Sequence, residues 1–537
     1  MRMMMNFGRF RILAAGAAIS AIMMATGPAW TATPQDTLVI AWAFDDIITL
    51  DPAESFELST GEILGNGYDR LVRLDINDTS KVVNDIAESW TVSDDGLTYT
   101  FKIKPDLKFA SGNPVTAEDV AFSIQRAVKL DKSPAFILTQ FGLTPDNVDE
   151  KAKATDPATF VLTVDQSYAP SFVINCLTAD VGSVVDKKLV MENVVDNDYG
   201  NAWLKTHYAG SGPMKIRDWR ANEILVLERN DSYYDDKAKL TRVIYRHVKE
   251  SATQRLLLEK GDVDVARNLN PGDMEAVSKE EGMSLTSKPK GTIYYFGLNQ
   301  KNETLAKPEV REALKYLIDY DAIGATLIKG LGEIHQTFLP KGMLGELDEK
   351  PYNLDVDKAK ELLEKAGLKD GFSVTADIRS IQPDSGIAES VQQTFAKAGV
   401  KLEIIQGDGK QTLTKYRARN HDIYYGQWGV DYWDPHSNAD TFSSNPDNSD
   451  DASSKTLAWR NSWEIPELTK ETKEAVLERD TEKRAEMYRD LQKKVLDTGP
   501  FILLYQQTEV AGVRDNVVDY KLGPSFSTNY VFNVSKK

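Results

Sequence analysis

Apolar positions recur along this chain with two different periods, and the balance between them shifts near Gly291. Leu38-Val39-Ile40-Ala41-Trp42 is an unbroken apolar run between polar flanks, which predicts a buried strand. Tyr99, Phe101 and Ile103 alternate with Thr98, Thr100, Lys102 and Lys104, the period of a strand with one wet face. Thr116-Ala117-Glu118-Asp119 can cap a helix that carries Val120, Ile124 and Ala127 on one side.

Beyond Gly291 the chain alternates helix and strand. Residues 307–319 begin with Pro308 at a first helical position and place Val310, Leu314, Leu317 and Ile318 on one stripe. Residues 357–366 then predict a helix closed by Gly367, 372–378 a strand, 385–398 a helix closed by Gly399, and 400–405 a strand. That order favours an open, largely parallel sheet with helices on its faces. No Pro/Gly/Ser-rich linker separates the two parts, so two lobes joined by crossing strands are expected, with 501–505 crossing back and the connections acting as a hinge.

The amino end changes the picture of where the protein resides. Arg2, Arg9 and Arg11 precede an apolar stretch from Ile12 to Met24, and Pro28-Ala29-Trp30-Thr31-Ala32 follows, a pattern that predicts a signal peptide over 1–32 cut between Ala29 and Thr33. No later run approaches the ~20 apolar residues that a bilayer requires, so a soluble, periplasmic protein is expected. Lys+Arg number 64 against Asp+Glu 81, a net charge of -17 that becomes -20 once the three arginines leave. Such a surface repels polyanions and argues against nucleic acid as a partner.

The search for reaction chemistry finds no anchor. One cysteine excludes an internal disulfide and a Cys-based zinc site, and Cys176 reads as a small buried hydrophobe. His207, His247, His335, His421 and His436 lack metal-binding spacing. Tyr208-Ala209-Gly210-Ser211-Gly212-Pro213 lacks the Gly two residues before the serine of a nucleophile elbow, and reads as a turn. Gly407-Asp408-Gly409-Lys410 lacks the leading Gly of a phosphate loop and reads as a strand-helix connection. Asp447-Asn448-Ser449-Asp450-Asp451 lacks the Gly and Glu of a calcium loop and reads as a solvated loop. No cofactor is expected.

Four segments in order carry a resemblance. The first runs over residues 87–105, Ala-Glu-Ser-Trp-Thr-Val-Ser-Asp-Asp-Gly-Leu-Thr-Tyr-Thr-Phe-Lys-Ile-Lys-Pro, and on through Phe109 to Val120. The second joins Gly212-Pro213-Met214 and Trp219 to Leu227-Glu228-Arg229-Asn230-Asp231-Ser232-Tyr233-Tyr234, the third spans 255–264, and the fourth is Tyr294-Tyr295-Phe296-Gly297-Leu298-Asn299 with Val310-Arg311-Glu312-Ala313-Leu314. Together they resemble the extracytoplasmic solute-binding proteins of peptide-type ABC importers, the dipeptide, oligopeptide and nickel-binding family. The resemblance implies an α/β, two-lobed clamshell fold with an enlarged first lobe. Lobe I would comprise 33–290 with 507–537, including an inserted subdomain about 73–200, and lobe II 291–506.

It also implies a monomeric receptor that binds a peptide or related amine between its lobes and hands it to permease subunits in the inner membrane. In peptide-binding relatives an acid at the place of Asp431 pairs with the ligand's α-ammonium group. Asp431 lies in Gly426-Gln427-Trp428-Gly429-Val430-Asp431-Tyr432-Trp433-Asp434-Pro435, where Trp428, Tyr432 and Trp433 would form apolar walls. The alternative is that Asp431 caps the turn before Pro435 and the tryptophans are core. Asp46 and Tyr294 match stretches that line the cleft in relatives, and Trp42 is a further candidate. Some dipeptide-binding relatives carry an Arg at the start of the helix corresponding to 385–389, where it fixes the peptide carboxylate. Ser385 and Gly386 stand here instead, and the nearest arginine is Arg379. This departure favours a longer peptide or an opine-like conjugate over a strict dipeptide. A sugar derivative or metal chelate as ligand, an exported hydrolase and a chaperone-like protein are the competing readings.

Overall fold

The computed structural model describes residues 33–78 and 81–537; the stretch read as a signal peptide lies outside them. Among the described residues no helix is long and apolar enough to cross a membrane. An eleven-stranded sheet runs through the molecule. Ten of its strands follow the order Val400–Gly407, Phe372–Arg379, Ile423–Gly429, Met283–Leu298, Phe501–Arg514, Val265–Ala266, Thr37–Trp42, Arg242–His247, Ile224–Arg229 and Met214–Arg220; Gly332–Ile334 pairs with Phe501–Arg514.

The sheet is mixed, which corrects the largely parallel sheet expected from the helix-strand alternation. Phe372–Arg379 does run parallel to both Val400–Gly407 and Ile423–Gly429, and Thr37–Trp42 to Arg242–His247. The long strands Met283–Leu298 and Phe501–Arg514 are antiparallel to each other and to their outer neighbours. Met283–Leu298 opposes the parallel strands on its side and Phe501–Arg514 opposes Val265–Ala266 on the other, so strand direction alternates at the centre of the sheet.

These two strands are the link between the lobes. They stay paired from Met283↔Arg514 to Gly297↔Phe501, with the register breaking between Pro289 and Ile293 and again between Tyr294 and Tyr295. At the break Lys290 is fully buried, its ammonium 2.6 Å from Glu509 and 2.7 Å from Asn529 Oδ1. Arg267 pairs with Glu62 at 2.9 Å and with Glu509, joining the first helix, Leu58–Gly67, to the crossing strands.

The predicted local elements form where the patterns place them. Thr116 caps the helix Ala117–Leu130 in a reciprocal box with Asp119. Asp408 caps the helix Gly409–Arg417, so Gly407-Asp408-Gly409-Lys410 is a strand-helix connection. A separate four-stranded sheet, Ala87–Val92, Thr98–Ile103, Thr159–Thr163 and Ala152–Asp156, packs with Ala117–Leu130 around its own core of Tyr99, Phe101, Phe141, Phe160 and Phe172. Cys176 is buried there, and burial pushes its thiol well above the ordinary range, as suits a packing residue. Ser211 is buried and donates to Asp69 at 2.8 Å.

Candidate functional site

Alternation along Ile423–Gly429 sends Ile423 and Tyr425 into the core on one face of the second lobe and Tyr424 and Trp428 into the core on the other. The strand ends where the lobes meet. A Cβ on Gly429 would stand 2.6 Å from Leu58 Cδ2 of the first lobe, so a larger residue would have to push that side chain aside. Past it, Val430 N–H bonds Gly291 O at 3.0 Å and Asp431 N–H bonds Ser437 Oγ at 2.9 Å, which fixes the loop against the crossing strand.

Two small adjoining cavities of about 60 and 80 Å³ lie between the lobes at this point. They share Phe56, Glu57 and Leu58 from the first lobe and Gly429 and Asp431 from the second. A third chamber of about 430 Å³ adjoins them across Phe56, Trp428 and Arg460. Together the three offer aromatic walls with a few convergent charged groups, the lining of a small-molecule site.

Asp431 lines both central cavities. Its carboxylate accepts no hydrogen bond among the described residues, and Oδ2 is sealed from water. Burial pushes the carboxyl well above its ordinary range, with Arg460 pulling against it and Asp180 and Asp440 adding to it. The turn before Pro435 is capped by a different acid: Asp434 Oδ1 accepts from His436 N–H at 2.9 Å, and Asp434 forms a two-pronged pair with Arg484 at 2.7 and 2.9 Å. Capping therefore does not explain Asp431.

The other expected residues divide by position. Trp428 lines the larger central cavity, its ring edge-on to Phe56 at 5.7 Å and its Nε1 without an acceptor. Tyr294 lines the same cavity and stacks on Tyr505 at 4.4 Å. Asp46 lines it too; Oδ1 has no partner, and Oδ2 has only a 3.5 Å contact from Ser59 N–H. Arg379 reaches the cavity but is paired with Asp45 across the lobes, and Asp45 also meets Lys249 at 3.3 Å. Burial alone would raise the Asp45 carboxyl; Arg379 and Lys249 outweigh it and hold it at about 2.

Three aromatics lie behind the site. Trp42 is 4% exposed and stacks on Phe526 at 6.3 Å beneath the Arg267 guanidinium, so it supports the wall and lines none of the three cavities. Tyr432 points into the four-stranded subdomain, edge-on to Phe172 at 5.9 Å. Trp433 packs against the second-lobe core, with its Cζ3 2.8 Å from where a Gly291 Cβ would stand. For all three, aromatic character signalled burial and not direction.

Several lining residues escaped the sequence reading. Glu57 pairs with Arg417 across the lobes at 2.9 Å, and burial outweighs that partner, raising its carboxyl. Asp384, first residue of the helix Asp384–Ala396, is raised to about 7, by burial first, with Arg379 opposing. Arg460 ends the helix Leu457–Arg460 and faces both the larger central cavity and the side chamber. Glu57, Arg417, Asp384 and Arg460 are single charges in unremarkable surroundings, without any local pattern to mark them.

Comparison with known proteins gives a consistent context. The model for bacterial extracellular solute-binding proteins, family 5 Middle, matches residues 81–450. The chain is 28% identical over 523 residues, covering 96% of this chain and 97% of the relative, to "Probable D,D-dipeptide-binding periplasmic protein DdpA" of Escherichia coli (strain K12). It is 26% identical over 485 residues, with 85% and 86% covered, to the "Dipeptide-binding protein" of the same organism. Among solved structures, the periplasmic binding protein DppA from Helicobacter pylori in complex with peptide STSA superposes with a TM-score of 0.83 at 25% identity, over 93% of this chain and 98% of that one.

Proposed function

Because the chain belongs to family 5 of the bacterial extracellular solute-binding proteins, we propose that it captures a peptide by its α-ammonium group between the two lobes and presents the closed complex to the permease of an ABC importer. The observation that carries this reading is Asp431, a carboxylate enclosed between the lobes with no hydrogen-bond donor of its own. Desolvated charge-assisted bonds to such a group contribute about 1.5–3 kcal/mol, whereas exposed pairs contribute little. Trp428, Phe56 and Tyr294 supply apolar walls that tolerate varied side chains.

In this reading residues 33–290 with 507–537 move as one body against 291–506, hinged where the ladder breaks near Lys290. A ligand that touches both bodies favours the closed state by its differential affinity for that state. No bond in the ligand is broken, and the receptor acts as an exported monomer.

Mass spectrometry of small molecules released by denaturing the purified protein tests the reading directly. A peptide recovered intact supports it, and a cleaved or non-amine ligand overturns it. Saturating peptide should quench or shift Trp fluorescence and raise the melting temperature, with about 2.7 kcal/mol of stabilisation at a hundredfold excess over Kd.

A further inference from the structure

Three arginines reach the central cavity from the second lobe, and their surroundings differ. Arg379 is matched by Asp45, and Arg417 by Glu57 at 2.9 Å. Arg460 is 6% exposed, and its charge acts on Asp431 across the same cavity without pairing with it. Among the described residues it makes one hydrogen bond, from Nε to Lys455 O at 3.1 Å, and no ion pair. Its guanidinium lies 5.7 Å from the Trp428 ring centre and 5.6 Å from that of Tyr416, which hold its plane. Among the described residues neither terminal nitrogen has a protein acceptor.

A guanidinium does not shed its proton in a protein, so burial cannot neutralise it. An unpaired buried charge is strongly unfavourable unless something supplies the opposite charge. Arg460 and Asp431 line the same cavity, a guanidinium and a carboxyl group, and among the described residues no protein hydrogen bond or ion pair engages the Arg460 terminal nitrogens or the Asp431 carboxyl. We infer that Arg460 receives the ligand's carboxylate while Asp431 holds its ammonium group, so that the ligand is a zwitterion with a free carboxyl terminus. The inference rests on the reading of the cavity as a peptide site and specifies which end of the peptide is held where.

The arrangement favours a carboxylate over other anions. One planar guanidinium with two free terminal nitrogens matches the two oxygens of one carboxylate. A doubly charged phosphate in the central cavity would call for a second free cation there, but Arg379 and Arg417 are already paired, and Lys132 and Lys455 line only the side chamber. Ser385 and Gly386, at the start of the helix next to Arg379, supply no cation either. Arg460 also lines the side chamber with Lys132, Asp440, Ser453 and Ser454, so the residue that bears the carboxylate can extend its side chain into polar surroundings.

The test compares peptides with their carboxyl-terminal amides. L-Ala-L-Ala, D-Ala-D-Ala and tri-L-alanine, each as acid and as amide, are titrated calorimetrically into protein freed of bound ligand by unfolding and refolding. We expect the wild-type protein to bind at least one acid ten or more times tighter than its amide. In Arg460→Gln this preference should fall below threefold because acid binding falls far more than amide binding, and Arg460→Lys should keep an intermediate preference. Equal binding of acid and amide by the wild type overturns the role of Arg460 and leaves the peptide reading standing. So does a preference that survives Arg460→Gln, or an equal loss of acid and amide binding in that variant. If none of the acids or amides binds, the peptide reading fails and this inference fails with it. Should Arg460→Gln not fold, the wild-type comparison and Arg460→Lys still decide.

Discussion

Burial pushes the Asp431 carboxyl well above the ~3.9 of a free aspartate, so the folded, ligand-free protein holds a proton there more tightly than the unfolded chain does. Stability from such a group is full below the unfolded pKa and is lost as pH rises toward the folded one. Asp431→Asn should therefore raise the ligand-free stability at pH 7–8, by on the order of 1–3 kcal/mol, with the gain shrinking toward pH 4 in melts across pH. The same substitution should weaken α-amine peptide binding at least tenfold, and wild-type affinity should rise with pH as the ammonium competes with that proton. An Asp431→Asn protein that melts lower and binds equally well would return the residue to a structural role. The run of residues around Asp431 signalled chemistry because an acid stood among aromatics beside glycines. Arg460 gave no such signal, since its meaning lies in the absence of a partner, and only three-dimensional proximity reveals that.

At the scale of elements, one helix and one strand of the second lobe grip the first. Arg417, closing the helix Gly409–Arg417, reaches Glu57, and Asp45 accepts both from Arg379 and from Gly409 N–H at that helix's start, at 3.3 Å. Glu57→Gln would leave Arg417 buried without its counter-charge, which penalises closure. We expect peptide affinity to fall about tenfold and the radius of gyration of the liganded protein to increase in solution scattering; Glu57→Gln with Arg417→Met should recover part of both. These helices and strands were legible in the sequence because cap residues and apolar periods are local. The mixed direction of the sheet was not legible, since strand pairing depends on where the long crossing strands return.

For the molecule as a whole, the buried cluster of Lys290, Glu509, Arg267 and Glu62 ties both crossing strands to the first helix. Burial would raise the Glu509 carboxyl, but Arg267 and Lys290 outweigh it and hold it at about 2. A depressed carboxyl contributes stability that is present above its unfolded pKa of ~4.3 and lost as pH falls toward the folded value. Glu509→Gln should thus lower the melting temperature most at pH 6–7, with the difference from wild type narrowing below about pH 4; a difference independent of pH would contradict the assignment. A few residues away, Gly291 bonds Val430 through its carbonyl and Pro524 O through its N–H, and a Cβ there would meet Val430 Cγ2 at 2.7 Å. Enlarging that one side chain would wedge the Asp431 loop away from the crossing strand while leaving Asp431 and Arg460 themselves unchanged. Uptake threshold and chemical selectivity could then drift independently between descendants of this receptor, and a biosensor built from it could be retuned for concentration range without redesigning what it recognises.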